Sequence, residues 1–248
     1  MCGDTDCAAL ILAAGQGTRM KSELAKVLHT VAGKTMIRYV LEAVQAVSPA
    51  RIVMVIGYQA DAVCLELAGE RLDFILQAER LGTGHAALMA QQSFAGFTGT
   101  IIVLNGDTPL LRSATLARFI SYHRSEGASG SVLSAEIDDP TGYGRIVRDE
   151  RGAFLRIMEH KDASEEVRAI REISSGIFCF ESADLFGALG KVDRRNVQGE
   201  YYITDVMEIL RRDGKRTGVY LCDQREEVLG INTVEQLQAA ERLMRKYG

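Results

Sequence analysis

The sequence predicts an α/β protein: a mostly parallel sheet with helices on both faces, and a part richer in antiparallel structure in its second half. Three observations carry this. Short apolar runs alternate with helical patterns through the first 130 residues. Those runs are apolar throughout, as strands covered on both faces are. The first of them stops at a glycine loop, Gly15-Gln16-Gly17, and in such sheets ligands bind beyond the carboxyl ends of the strands.

The elements follow in order. Strands are expected at 8–13, 52–56, 74–76 and 100–104. Between them, residues 35–47 place Ile37, Val40, Leu41, Val44 and Val47 on one stripe at helical spacing. Further helices are expected at 59–68, 84–92 and 113–126. After 130 the strands come in closer succession, at 131–137, 144–148, 154–158 and 171–180. Helices return at 182–189 and 204–212, with a strand at 217–222. A last helix starts at Thr233, where Gln236 three residues on completes a capping box, and runs to 246. No long linker, repeat or low-complexity tract interrupts the chain. Residues 1–248 therefore read as one continuous unit that changes character at about 130.

Composition narrows the function classes. A hydrophobic share of 47% with 25% charged residues suits a globular chain with a full core. The net charge of −4 argues against a surface that wraps nucleic acid, while leaving room for a local cationic pocket. The apolar runs fall far short of the ~20 residues that a membrane span needs. Asp4 and Asp6 stand where a secretory leader would be positive. Five cysteines, an odd number without metal-ligand spacing, fit a reducing compartment and give no framework for a structural zinc. A cytoplasmic location is expected. Cys64 and Cys179 read as core fillers, and Cys2 and Cys7 as part of a frayed terminus.

The glycine loop carries the first chemistry. A strand ending in glycines lets backbone N–H groups approach phosphate oxygens. Arg19, and Lys26 seven residues later, are fixed cations able to neutralise charge on a triphosphate. No Gly-Lys-Ser/Thr follows, so the loop is no Walker A. Met20 stands where a dinucleotide fingerprint needs its third glycine.

Asn105-Gly106-Asp107-Thr108-Pro109 ends the strand at 100–104. Asp107 is either a ligand for a magnesium ion on the phosphates or a turn residue before the next helix. Gln77 ends a strand too, and Leu81-Gly82-Thr83-Gly84-His85 leads into a helix. A carboxamide there can pair with a base edge. His85, His123 and His160 read as structural. Thr141-Gly142-Tyr143-Gly144-Arg145 and Glu159-His160-Lys161-Asp162 bracket two strands. They suit either sugar recognition or a plain hairpin with a charged loop. Gly199-Glu200-Tyr201-Tyr202-Ile203-Thr204-Asp205 mixes polar and aromatic groups before a helix. Asn232 precedes the Thr233 cap, and spacing alone makes it a turn residue.

Taken in order, LILAAGQGTRM, KVLHTVAGKTM, LQAERLGTGHA, NGDTPLL, DDPTGYGRIVRD, EHKDA, QGEYYITD and GINT span nearly the whole chain. The chain resembles the uridyltransferase half of the bacterial bifunctional N-acetylglucosamine-1-phosphate uridyltransferase/glucosamine-1-phosphate acetyltransferases. That resemblance implies a Rossmann-like nucleotidyltransferase fold. The implied activity transfers a uridylyl group from UTP to N-acetylglucosamine 1-phosphate, with Mg²⁺ as cofactor, in peptidoglycan precursor synthesis. It gives Arg19 and Lys26 a catalytic role. Leu12, Ala13, Ala14, Gly15, Gln77, Gly82 and Thr83 would bind nucleotide. Asn105, Gly106, Gly144, Glu159, Ser174, Tyr202 and Thr204 would bind sugar, and Asp107 and Asn232 the metal. The part after 130 would be the sugar-binding half.

The chain departs from the family pattern at four places. Ala25 replaces a proline before Lys26, which predicts a less rigid loop. Ser174 stands where the family has a sugar-binding asparagine. Asn105 occupies a variable position. No hexapeptide-repeat pattern occurs within residues 1–248, so the acetyltransferase half is expected to be absent. Two rival readings stay open: a nucleotidyltransferase for another sugar 1-phosphate or donor base, and a non-catalytic nucleotide-sugar-binding homologue.

Overall fold

The computed structural model describes residues 6–247. Cys2 and Asp4 lie outside the described residues. The first strand, β1 (Cys7–Ala13), is buried along its whole length. Successive side chains of a strand point to opposite faces. Cys7, Ala9, Ile11 and Ala13 therefore join one hydrophobic core, while Ala8, Leu10 and Leu12 join the other. This explains why the strand reads as an unbroken apolar run. It also corrects the frayed-terminus reading of Cys7, which is buried at the head of the central strand.

The residues between β1 and the next sheet strand hold two short 3₁₀ turns, Thr18–Met20 and Lys26–Leu28, and a hairpin of β2 (Thr30–Val31) and β3 (Lys34–Thr35). The sequence reading contained no hairpin here, because two-residue strands leave no periodicity to read. Helix α1 (Met36–Gln45) follows, burying Ile37, Val40, Leu41 and Val44 as the stripe predicts.

β4 (Ile52–Ile56) then runs parallel to β1, and helix α2 (Ala60–Glu66) leads to β5 (Asp73–Leu76) at the sheet edge. β5 is partly exposed rather than doubly covered. Helix α3 (Thr83–Met89) carries the chain back to β6 (Thr100–Asn105), which pairs parallel with the other side of β1. The strand order thus reverses at β1, making the space above β1 and β6 a topological switch point, where open α/β sheets bind ligands.

Helix α4 (Ser113–Ser125) packs on the α1 face, and β7 (Gly130–Glu136) begins the mixed part. β8 (Gly144–Arg148) and β9 (Phe154–Met158) form an antiparallel pair. A short helix not foreseen in the sequence, α5 (Glu165–Arg168), precedes β10 (Glu172–Glu181). β10 is antiparallel to β6, β7 and β8, and its register shifts between Ser174 and Phe178. Helices α6 (Ser182–Leu189) and α7 (Asp205–Arg212) cover the second core, while β11 (Thr217–Leu221) closes the far edge beside β7.

Helix α8 (Val234–Tyr247) ends the described chain. Its capping box is formed: Thr233 N–H donates to Gln236 Oε1 at 3.2 Å, and Gln236 N–H donates to Thr233 Oγ1 at 3.3 Å. No described helix is long and apolar enough to cross a membrane.

Candidate active site

The site is built where β1 and β6 end side by side. Leu12 lies in register with Asn105, and Gly106 N–H donates to Leu12 O at 2.9 Å. The glycine loop after β1 and the Asn105-Gly106-Asp107 turn after β6 therefore face one crevice, although the sequence separates them by some ninety residues.

In the loop, Gly17 has φ of 74°, and a Cβ there would lie 2.5 Å from Lys26 Cβ. Glycine at this position lets Lys26 cross beneath the loop. Lys26 sits on the Lys26–Leu28 turn, held from before by Ala25, whose N–H donates to Gln59 Oε1 at 2.7 Å. Ala25 has φ of −54°, within the range of a proline. The alanine thus has a φ that a proline also adopts, and its N–H supplies a donor that proline lacks.

Lys26 and Arg19 converge with Asp107 and Asn232. The Lys26 ammonium pairs with Asp107 Oδ2 and donates to Asn232 Oδ1 at 2.6 Å, and Arg19 Nη2 donates to the same Asn232 oxygen at 2.7 Å. Asn232 reaches the site because Ile231 N–H donates to Asp107 O at 2.9 Å. One carboxylate oxygen and one carboxamide oxygen meet at a single cation, here the ammonium of Lys26. A hard oxygen pair of this kind fits a divalent metal ion that keeps several waters and is shared with phosphates.

Two cavities open on either side of this cluster. The first, of about 270 Å³, is lined by Leu12, Ala13, Ala14, Gly15, Lys26, Gln77, Gly82, Thr83, Gly106 and also by Arg80 and Glu200. Gln77 is buried, its Nε2 donating to Gly82 O at 3.2 Å and lying 3.0 Å from His85 Nδ1. Gly82 has φ of 112°, and a Cβ there would meet Tyr201 O at 2.5 Å, so the loop leading into α3 lies flat on the 199–204 segment.

The second cavity, of about 280 Å³, is lined by Arg19, Gly144, Glu159, Ser174, Thr204 and Asn232 among others. Thr83, Asn105 and Asp107 border both cavities. Glu159 Oε1 accepts from Thr204 Oγ1 at 2.9 Å. Burial pushes the Glu159 carboxyl above its ordinary range, and the Thr204 hydroxyl and the Arg145 charge oppose that rise. Ser174 Oγ accepts from Gly176 N–H at 3.3 Å, turned toward its own strand.

Of the sequence-derived candidates, all but Tyr202 line one cavity or the other. The Tyr202 ring is buried, and its hydroxyl accepts from Gln198 Nε2 at 2.8 Å, so it backs the wall. Burial pushes that hydroxyl up to about 12. Gly106, grouped with the sugar candidates in the sequence, lines the first cavity only. Arg80 was missed. It lines the first cavity and the groove beside Gly15, Arg19 and Lys26. The available signal was a cation inside the loop between Gln77 and Gly82. The structural reading of two histidines agrees with their surroundings. His123 is buried between Ser131 Oγ and Glu181 Oε1, at 2.8 and 3.2 Å, and His160 lies against Arg145.

A switch-point crevice with cations, a hard oxygen pair and two adjoining cavities defines a nucleotidyltransferase. The chain belongs to the MobA-like NTP transferase domain family, whose model matches residues 9–174. It is 48% identical over 238 residues to the bifunctional protein GlmU of Enterococcus faecalis, covering 96% of this chain and 52% of that protein. Against GlmU of Halalkalibacterium halodurans the identity is 50%, with the same coverage. Against GlmU of Pelotomaculum thermopropionicum it is 49%, over 97% of this chain and 52% of that protein. The chain spans about half the length of the curated relatives it matches. In fold it is similar to a Bacillus anthracis protein assigned as a glucose-1-phosphate thymidylyltransferase and solved with a sucrose. The TM-score is 0.76 at 20% identity, covering 96% of this chain and 95% of that one.

Proposed function

We propose that the chain transfers a uridylyl group from UTP to N-acetylglucosamine 1-phosphate, giving UDP-N-acetylglucosamine and pyrophosphate. The observation that supports this most is the pair of cavities joined at Thr83, Asn105 and Asp107, with Arg19 and Lys26 at the junction. A nucleotide in one and a sugar phosphate in the other would meet at those cations. The cavity linings support a division near residue 130: the first is built almost entirely before it, and the second draws most of its lining from after it.

A sugar-phosphate oxygen attacks the α-phosphorus of UTP in line. The new P–O bond forms as the bond to the β-phosphate oxygen breaks, and pyrophosphate leaves with that electron pair. The attacking phosphate is already an anion at neutral pH, so no protein nucleophile is required. The backbone of Leu12–Gly15 lies along the nucleotide. Gln77 has its amide nitrogen engaged within the protein, which leaves its oxygen to accept from the uracil N3–H. Arg19 and Lys26 hold the phosphates as charge redistributes. Asp107 and Asn232 would hold the divalent ion, which we assign as Mg²⁺; when bound it withdraws charge from phosphate oxygens. Glu159, fixed by Thr204, accepts from sugar hydroxyls, and Gly144 lets the ring approach the backbone. The substrates are small molecules, without nucleic acid or membrane, and the place of work is the cytoplasm.

Pyrophosphate release tests this. UTP, CTP, GTP and dTTP are offered with N-acetylglucosamine, glucosamine and glucose 1-phosphates in the presence of Mg²⁺. The highest kcat/KM is expected for UTP with the N-acetylated sugar. Release with none of the pairs would reduce the chain to a binding homologue. One observation favours a second sugar: Ser174 presents a hydroxyl bonded to its own backbone where a longer amide would reach the cavity. A preference for a sugar without the acetamido group would support that reading.

A further inference from the structure

Arg145 heads the fully buried side chains of this protein by size, with 1% of its surface exposed. Among the described residues, its hydrogen-bond partners are carbonyls and a neutral ring. Nη1 donates to Tyr143 O, Nε and Nη2 donate to Arg168 O at 3.3 and 3.2 Å, and Nη2 lies 3.3 Å from His160 Nδ1. No carboxylate is bonded to it there. A buried charge without an ion partner is costly, so its placement demands a physical reason.

The placement is informative. On β8, Arg145 lies in register with Met158, the residue before Glu159, and with Ile173, the residue before Ser174. Its side chain spans three segments: the 142–144 loop, the strand end at 159–160 and the end of α5. The first two carry Gly142, Gly144 and Glu159 to the second cavity. Gly142 in turn lies beside Arg19, since a Cβ there would be 3.5 Å from Arg19 Nη1.

We infer that Arg145 is a positioning residue for the sugar-phosphate cavity: its guanidinium clamps the 142–144 loop to the 159–160 strand end. The inference rests on the proposed sugar-phosphate role of that cavity. Arg145 from β8, and Asp162 and Glu200 from the flanking loops, bear on Glu159, which follows β9. Thr204 and Asp205 face it from the start of α7. Apart from Arg145 these charges are negative, so Arg145 is the cation that opposes the upward push of burial on the Glu159 carboxyl. Its other charged neighbours are Asp139 and Arg168.

Arg145→Met, Arg145→Lys and His160→Ala are compared with the unaltered chain. KM is measured for UTP and for N-acetylglucosamine 1-phosphate, and thermal melting reports folding. Arg145→Met is expected to raise the sugar-phosphate KM at least about tenfold, the scale of a lost charged hydrogen bond, with UTP KM within about twofold. Arg145→Lys keeps the charge but not the three-way fork, and should fall between. His160→Ala should move the sugar constant in the same direction by less. If Arg145→Met does not fold, Arg145→Lys and His160→Ala decide by the same split between the two constants. Equal rises in both constants, or a sugar constant unchanged in every variant, overturns the inference. An unaltered chain that neither releases pyrophosphate nor binds UDP-N-acetylglucosamine by calorimetry overturns the proposed function instead.

Discussion

Lys26 and Asp107, 81 residues apart in the chain, form an ion pair at the mouth of the crevice, and the same ammonium reaches Asn232 Oδ1 at 2.6 Å. Both side chains are largely shielded, at 14% and 15% exposure, so the pairing is less screened than a surface salt bridge. The cation of Lys26 thus sits where the two proposed metal ligands converge. A lysine ammonium and a divalent ion cannot share those oxygens at such distances.

The first expected outcome follows from that competition. Without nucleotide, Lys26→Met should bind Mn²⁺ at least about tenfold more tightly than the unaltered protein, because an opposing charge has been removed. Paramagnetic resonance of free Mn²⁺ reads this directly. Equal affinities would mean that Lys26 does not compete with the metal.

Asp107→Ala removes the carboxylate of the donor pair. Metal-dependent turnover should be lost, while the far-ultraviolet dichroism spectrum stays that of the folded chain. Near-normal turnover at low millimolar Mg²⁺ would remove Asp107 from the metal site.

Arg19→Ala should lower kcat about 10²–10³-fold, with a smaller effect on the KM for UTP. Arg19 meets the cluster through Asn232 and borders the second cavity, a position suited to charge that builds during transfer. A rise in KM at constant kcat would instead mark uniform binding of substrate.

Ser174→Asn tests which residue reads the sugar. A carboxamide reaches further and both donates and accepts. The KM for N-acetylglucosamine 1-phosphate should fall by up to about tenfold, one hydrogen bond's worth, with little change for UTP. An unchanged sugar constant would show that position 174 does not touch the sugar.

Asp205 gives a pH signature of stability. Burial, followed by the charges of Glu159, Glu208, Asp193 and Asp162, pushes its carboxyl up to about 7. The folded state therefore holds this proton more tightly than the unfolded chain does, and the group's contribution falls as pH rises from about 4 to 7. Asp205→Asn should raise Tm by a few degrees at pH 8 and leave it nearly unchanged at pH 4. Equal shifts at both values would mean that the carboxyl charge is not the cause.

The apolar runs and helical stripes of the first half were legible in the sequence because burial on both faces of the sheet leaves few alternatives. The run at 8–13 has to feed two cores at once, and the stripe from Ile37 to Val44 fits only a helix with one buried face. The capping box at Thr233 and Gln236 was legible for a different reason: its signal is local. The hairpin at 30–35 and the helix at 165–168 were not, being too short to show a period.

The sequence by itself determined the chemical inventory of the site: a glycine loop, two cations, a strand-end carboxylate and glycine-flanked polar loops. Tertiary structure decided which of these meet. Register between Leu12 and Asn105 brings the first two segments together. The bond from Ile231 N–H to Asp107 O draws Asn232 in from far along the chain, against its local reading as a turn residue. Packing turned Tyr202 into a wall residue, put Arg80 in the groove and buried Arg145 between the 142–144 loop and the 159–160 strand end. Local patterns encode which face of an element is buried. Contacts between distant segments depend on strand register and loop path, which no single window of sequence contains.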